Sequence, residues 1–132
     1  MKTTLAVVAL LVSVGFLGQI VSVVNFKLAQ RLGLQEKDEA TDPVFRYLER
    51  NTARWDMFVL WTLPVAAVLM LIEHSWWPYA ALLAGGIYID TGGREAAKIL
   101  GLQAEGVKFG SASEVRLFFG YIASMTIIGL AL

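Results

Sequence analysis

Four charged side chains lie at the ends of long uncharged runs, where an ionised group is tolerated only if it is paired or hydrated. Asp56 precedes the second such run and Arg116 the last, while Asp90 follows the third. Arg94 comes four residues after Asp90, which is the spacing of an ion pair on one helix face. We predict that these residues form a polar cluster that pairs ions or binds a ligand.

Other kinds of chemistry are disfavoured by residue type. The segment GGREAAK at 92–98 has neither the Walker A nor the G-x-G-x-x-G spacing. The chain has no cysteine and one histidine, which excludes thiolate and histidine-rich metal sites. Two carboxylates beside arginines favour neutralisation over binding of a hard cation, so we predict no metal and no cofactor. A net charge of zero gives no reason to expect a nucleic-acid partner.

The elements that position these residues are predicted from composition. The 132 residues are 57% hydrophobic and 17% charged, whereas soluble domains are about half apolar and a quarter charged. This composition is typical of a membrane protein, and the length indicates a single domain, 1–132. We predict an all-α, polytopic, up-down bundle of four transmembrane helices.

The four spans are expected at about 4–26, 55–73, 76–93 and 114–132, with connections at 27–54 and 94–113. The first stretch follows Lys2 and could be a signal peptide, but its length and the lack of a cleavage site favour a helix. The uncharged runs of the other three cover only 14 to 16 residues. A bilayer core requires about 20, so these helices must continue through flanking polar residues.

Lysine and arginine are concentrated in the two long connections. Six lie between the first and second spans and four between the third and fourth, whereas the opposite side has only Lys2. The positive-inside rule therefore predicts a multi-pass inner-membrane protein with cytoplasmic connections and both termini outside. The turn EHSWWPY at 73–79 then lies outside, with its aromatic residues at the lipid interface.

Glycine and proline predict where the helices end or bend. RLGLQ at 31–35 and ILGLQ at 99–103 have the pattern of a Schellman cap, with Gly33 and Gly101 in the left-handed conformation. Gly92 and Gly93 would then lie inside the third helix and weaken or kink it. Pro64 should kink the second helix, with Thr62 available to satisfy the freed backbone groups.

Two helix starts are also predicted. Asp42 and Pro43 fit the cap and first position of the second helix. Ser111 and Glu114 fit a capping box at the start of the fourth.

The layout resembles the membrane-associated proteins in eicosanoid and glutathione metabolism (MAPEG), in the segments RYLERNTARWD at 46–56 and EVRLFFGYIASMTIIGLAL at 114–132. The resemblance implies a trimer, glutathione as cosubstrate, glutathione contacts at Arg50, Asn51 and Arg54, and Arg116 as the thiol-activating arginine. Arg54 stands where that family has an acid. The stretches WDMFVLWTLP and YIDTGGREAAK indicate another bacterial membrane family as the alternative.

Three functions are consistent with the sequence. The first is a non-catalytic membrane protein, a homo-oligomer or a subunit of a larger membrane complex, that uses its polar cluster at the cytoplasmic face for packing or lipid binding. The second is a MAPEG-like transferase that acts on a lipophilic substrate. The third is a small proton-coupled transporter that uses Asp56 or Asp90.

Overall fold

The computed structural model describes residues 2–35, 41–107 and 110–132. The predicted all-α class is confirmed for these residues, which form helices and contain no strand. Two of the lysines counted in the long connections, Lys37 and Lys108, lie outside the described residues. The helices are α1 (Lys2–Val12), α2 (Val14–Val24), α3 (Phe26–Arg31), α4 (Pro43–Val59), α5 (Thr62–Leu71), α6 (Trp77–Ala104) and α7 (Ala112–Ala131).

Three helical segments of the described chain are long and apolar enough to cross a membrane: Lys2–Val24, Pro43–Leu71 and Ala112–Ala131. The chain is thus consistent with a membrane protein. The fourth expected span, 76–93, is not among them. Its helix α6 is long enough at 28 residues, but Asp90 and Arg94 follow only 14 uncharged residues and lower its hydropathy.

The helices pack along their small-residue faces. α1 packs on α5, α2 on α4, and α6 on both α5 and α7. Gly85 and Gly129 lie at the α6–α7 crossing, where a Cβ on either glycine would meet the other's carbonyl oxygen at 2.8 Å. The main core is buried between these helices and consists of Ala9, Leu60, Leu63, Ala66, Ala67, Ala84, Tyr88, Met125 and Ile128.

The predicted helix starts are confirmed. The Asp42 carboxylate accepts the Val44 N–H at 2.8 Å, and Pro43 is the first residue of α4. At α7, Ser111 accepts from the Glu114 N–H, while the Glu114 carboxylate accepts from the Ser111 N–H. Each start thus satisfies backbone donors that have no partner within the helix.

Of the two predicted Schellman caps, the first is confirmed and the second is wrong. Gly33 has φ +72°, and the Leu34 N–H donates to Ala29 at 2.9 Å. Gly101 instead lies inside α6, which continues to Ala104 and is capped at Gly106, φ +74°. The Val107 N–H closes that cap on Leu102 at 3.0 Å, and both side chains pack on the Phe45–Ile99 cluster, which explains why the later glycine is used.

The expected weak point at Gly92 and Gly93 does not interrupt α6, which is helical through both residues. A Cβ at Gly92 would collide with the Thr126 hydroxyl and lie 3.3 Å from the Ile122 carbonyl oxygen. Gly92 therefore serves close packing of α6 on α7. Gly93 has no atom within 4 Å of its Cβ position.

The predicted bend at Pro64 is observed as an interruption between α4 and α5. Pro64 has no N–H to donate to the Leu60 carbonyl. That carbonyl instead accepts the Tyr88 hydroxyl at 3.0 Å, and the Thr62 hydroxyl donates to Val59 at 2.9 Å. Thr62 thus has the role expected for it, and α6 supplies the second donor.

Candidate functional site

A cavity of about 430 Å³ lies beside the α4–α5 interruption. This volume is within the range of small-molecule pockets, about 300–1,000 Å³. Its wall contains apolar side chains together with carboxylates, amides and hydroxyls. The lining residues come from α1, α2, α4, α6 and α7 and from the chain after α3. The cavity therefore joins helices that are far apart in sequence.

Three carboxylates reach this cavity. Glu49 and Asp56 are seven residues apart on α4, so they lie on the same helix face two turns apart. Glu95 projects from the facing side of α6. Their side chains are only 13%, 5% and 9% exposed. Buried carboxylates require charged partners or hydrogen-bond donors, so the cations around them determine what the site can bind.

Lys98 bridges two of the carboxylates. Its ammonium lies 2.6 Å from Glu49 Oε1 and 2.5 Å from Glu95 Oε2. Burial by itself would lower the pKa of Lys98, but the charge and hydrogen bond of Glu49, together with those of Glu95, outweigh it and raise that pKa. Lys98 is therefore a fixed cation whose charge is already shared by two acids.

Asp56 has a looser partner. Arg94 Nη2 lies 3.5 Å from Asp56 Oδ1, and the arginine side chain is 40% exposed. At this length and exposure the pair is weak. With every group ionised, the three carboxylates and the two cations Lys98 and Arg94 leave one net negative charge at the cavity. Asp56 is the carboxylate least compensated by the described residues.

Two polar atoms at the cavity have no hydrogen-bond partner among the described residues. They are the side-chain oxygen of Gln19 on α2 and the hydroxyl of Thr91 on α6. Nearby, the Gln35 amide donates to the Ser22 hydroxyl at 3.2 Å. Buried polar groups are normally satisfied by protein, water or ligand. Both residues line the cavity, so these two buried atoms are unused hydrogen-bonding capacity next to it.

Of the predicted cluster, the structure brings Asp56 and Arg94 together, whereas Asp90 and Arg116 do not line the cavity. Asp90 makes no ion pair within the described chain, so its predicted pairing with Arg94 is wrong. The buried face of α6 includes Tyr88, Thr91 and Glu95, and Asp90 points away from it and is exposed. Arg116 is also exposed.

The residues that the MAPEG resemblance implies lie outside the cavity. Arg50, Asn51 and Arg54 are exposed on α4 and do not line the cavity. The Arg50 guanidinium lies 4.5 Å from the centre of the Phe26 ring, and Arg54 donates to Asn51 at 3.4 Å. Arg116 donates back to the Ala112 carbonyl at 3.3 Å.

Sequence reasoning missed Glu49, Glu95 and Lys98. The second expected span began at 55 and the third ended at 93, so these residues were assigned to the connections outside the spans, although the predicted helix start at Pro43 and helix end at Gly101 placed them in helical sequence. The heptad spacing of Glu49 and Asp56 is the pattern that could have identified a shared face. The i, i+3 spacing of Glu95 and Lys98 could have identified their pair.

No group of three His, Cys, Asp or Glu side chains within the described ranges is arranged to hold a metal ion. Compared with protein-family models, curated proteins and solved structures, the chain gives no significant match. The resemblance to the MAPEG family thus stays a prediction.

Proposed function

We propose that this is an integral membrane protein that binds a small, partly apolar molecule in the cavity between α2, α4, α6 and α7. The observation that carries the proposal is the unused polar capacity of the cavity wall, formed by Gln19, Thr91 and the weakly paired Asp56. A cluster that served packing alone would be expected to satisfy its own polar atoms. A ligand with both an apolar body and a polar head matches this wall.

The membrane arrangement belongs to the same proposal. We infer that α6 contains a fourth span at about 76–93, which ends before Lys98, because α6 packs on the two apolar spans containing α5 and α7. Its charged residues then contact protein or the cytoplasmic membrane surface. The four helical segments alternate in direction, which supports an up-down bundle.

One contact shows which segments lie together at one end of the bundle. The Lys2 ammonium binds the Glu73 carboxylate at 2.9 Å, so the amino terminus and the α5–α6 turn are at the same end. Leu132 packs beside Gly85 of α6. We place this end outside and the basic end inside the inner membrane. The described cations of the basic end are Lys27, Arg31, Arg46, Arg50, Arg54, Arg94, Lys98 and Arg116.

The orientation can be tested with single-cysteine variants, since the chain has no cysteine. In intact cells, a membrane-impermeant maleimide should label the Ser75→Cys variant and not the Ala112→Cys variant. Both positions are exposed. Labelling of the second variant alone would reverse the orientation, and labelling of both would contradict a single topology.

The ligand-binding proposal is tested by access to the cavity. The neutral reagent N-ethylmaleimide should react with a Thr52→Cys variant, whose side chain lines the cavity. It should react much more slowly with an Ala84→Cys variant, because Ala84 is fully buried in the core. Equal, slow labelling of both folded variants would show that no molecule enters the cavity, and the proposal would fail.

Proton-coupled transport is a second proposal, favoured by the position of Asp56 at the cavity and next to the interrupted helix. Asp90, the other aspartate considered for this role, is exposed and does not line the cavity. Proton release on ligand binding that persists in the Asp56→Asn variant would exclude Asp56 as the coupling group. Oligomerisation, association with a larger membrane complex and glutathione transfer stay predictions.

A further inference from the structure

We propose that the ligand of this cavity is an organic cation with an apolar body, and that the Asp56 carboxylate is its anchor. This inference rests on the proposed function and specifies the chemical class of its ligand. It depends on the balance of charge, on the unpaired acceptors and on the aromatic part of the wall, which are independent observations.

The charge balance favours a cation. Lys98 is held between Glu49 and Glu95 at 2.6 and 2.5 Å, and it forms no ion pair with Asp56 in the described structure. Arg94, at 3.5 Å and 40% exposed, is the residue that an incoming cation can replace. When Arg94 turns toward water, a ligand cation can take its place beside a carboxylate that is 5% exposed. An anion would instead meet three carboxylates.

The unpaired polar atoms favour a hydrogen-bond donor on that cation. The Gln19 side-chain oxygen can only accept, and it has no donor within the described structure. The Thr91 hydroxyl can accept as well. A protonated amine has several N–H groups and can therefore donate to Asp56 and to one of these oxygens together. A quaternary cation would satisfy the charge but not these acceptors.

The rest of the wall suits the body of such a ligand. Leu11, Val14 and Ile122 provide apolar surface, and Phe45 and Phe118 provide aromatic rings. Aromatic faces attract cations, and they attract them more strongly where water is excluded. The cavity thus has apolar and aromatic side chains as well as acceptors in its wall, which matches a molecule with an apolar body and an amine.

The test uses three probes with the same apolar body: 4-phenylbutylamine, 4-phenylbutanol and 4-phenylbutanoate. Binding is measured by isothermal titration calorimetry at pH 7 on the purified full chain in a nonionic detergent. A charge-assisted hydrogen bond corresponds to about a tenfold gain in affinity or more. We therefore expect the amine to bind at least about tenfold more tightly than the alcohol, and the carboxylate to bind weakest.

Three variants assign the preference to Asp56. Asp56→Asn should remove the advantage of the amine over the alcohol. Asp90→Asn is the matched control on an exposed aspartate and should change nothing. Arg94→Gln should increase the affinity for the amine, because it removes the competing cation; a role limited to folding would not produce this gain. Thermal unfolding of each variant verifies that it is folded.

Equal affinity for the three probes, or an equal effect of Asp56→Asn and Asp90→Asn, would overturn the inference. The absence of binding by all three probes would also overturn it. In either case, reaction of the Thr52→Cys variant with N-ethylmaleimide would leave the proposed cavity intact. A failure of that reaction would reject the proposed function itself.

Discussion

The Tyr88 hydroxyl donates a hydrogen bond to the Leu60 carbonyl at 3.0 Å. Leu60 is four residues before Pro64, so its carbonyl is the one that the proline leaves without a helical donor. The Leu63 N–H approaches the same oxygen only at 3.4 Å. Tyr88 thus links α6 to the interruption between α4 and α5, one turn beyond Asp56.

Removing this hydroxyl should destabilise the protein. We expect the Tyr88→Phe variant to lose about 1–2 kcal/mol, because it leaves a buried carbonyl without a strong donor. The measurement is thermal or denaturant unfolding in detergent. Tyr79→Phe is the control, since Tyr79 is 72% exposed. An equal, negligible effect of both substitutions would show that Tyr88 does not support the interrupted helix.

Substitution of Lys98, which bridges Glu49 and Glu95, should reduce the stability of the protein further. Lys98→Met leaves two buried carboxylates without their shared cation and should cost about 3 kcal/mol at pH 7. Lys98→Arg keeps the charge and should cost much less. The free energy of unfolding of the three proteins provides the comparison. A cost for Lys98→Arg as large as that for Lys98→Met would indicate a packing role instead.

The contribution of Lys98 should depend on pH in one direction. Its pKa is raised in the folded state. The stabilisation is therefore complete below the unfolded value of about 10.4 and is lost as the pH rises through the higher folded value. The stability difference between wild type and Lys98→Met should thus persist at pH 9 and shrink above about 10.4. A difference that vanishes already below pH 9 would contradict this sign.

Alanine variants of the neighbouring residues Gly85 and Gly86 test the close crossing of α6 and α7. Gly85→Ala places a Cβ 2.8 Å from the Gly129 carbonyl oxygen, so the helices must separate at a cost of about 1–3 kcal/mol. Gly86 has no atom within 4 Å of its Cβ position, and Gly86→Ala should be neutral or slightly stabilising. Unfolding measurements that rank the two variants in the opposite order would refute the close crossing.

The end of α6 can be tested in the same way. Gly106 has φ +74°, so Gly106→Ala should destabilise the cap by about 1 kcal/mol. Gly101 is helical, and Gly101→Ala should stabilise by up to about 1 kcal/mol. If unfolding experiments gave the reverse, the helix would end at Gly101, as the sequence pattern suggested.

The helix starts and the first cap were predictable because their determinants are local. Asp42, Ser111 and Gly33 act on backbone groups within a few residues. Gly101 and Gly106 both follow helical sequence, and the choice between them depends on packing of Leu102 and Val107 against Phe45 and Ile99. That contact joins α6 to α4, so no local pattern reveals it.

The site was predictable only in part for the same reason. Asp56 and Arg94 were identified because they border uncharged runs. Glu49 and Lys98 are 49 positions apart, and their pairing depends on how α4 and α6 pack. The spacing of Asp90 and Arg94 allowed an ion pair along one helix. The observed pair instead joins Arg94 to Asp56, which lies on another helix and 38 positions away in the sequence.

The most direct measurement is protection of the cavity by a bound amine. The Thr52→Cys variant is treated with N-ethylmaleimide with and without 4-phenylbutylamine, and the exposed Asn51→Cys variant serves as the neighbouring control. The amine should slow labelling at position 52 and leave labelling at position 51 unchanged. Equal labelling rates with and without the amine at position 52, or equal slowing at both positions, would contradict an amine-binding cavity.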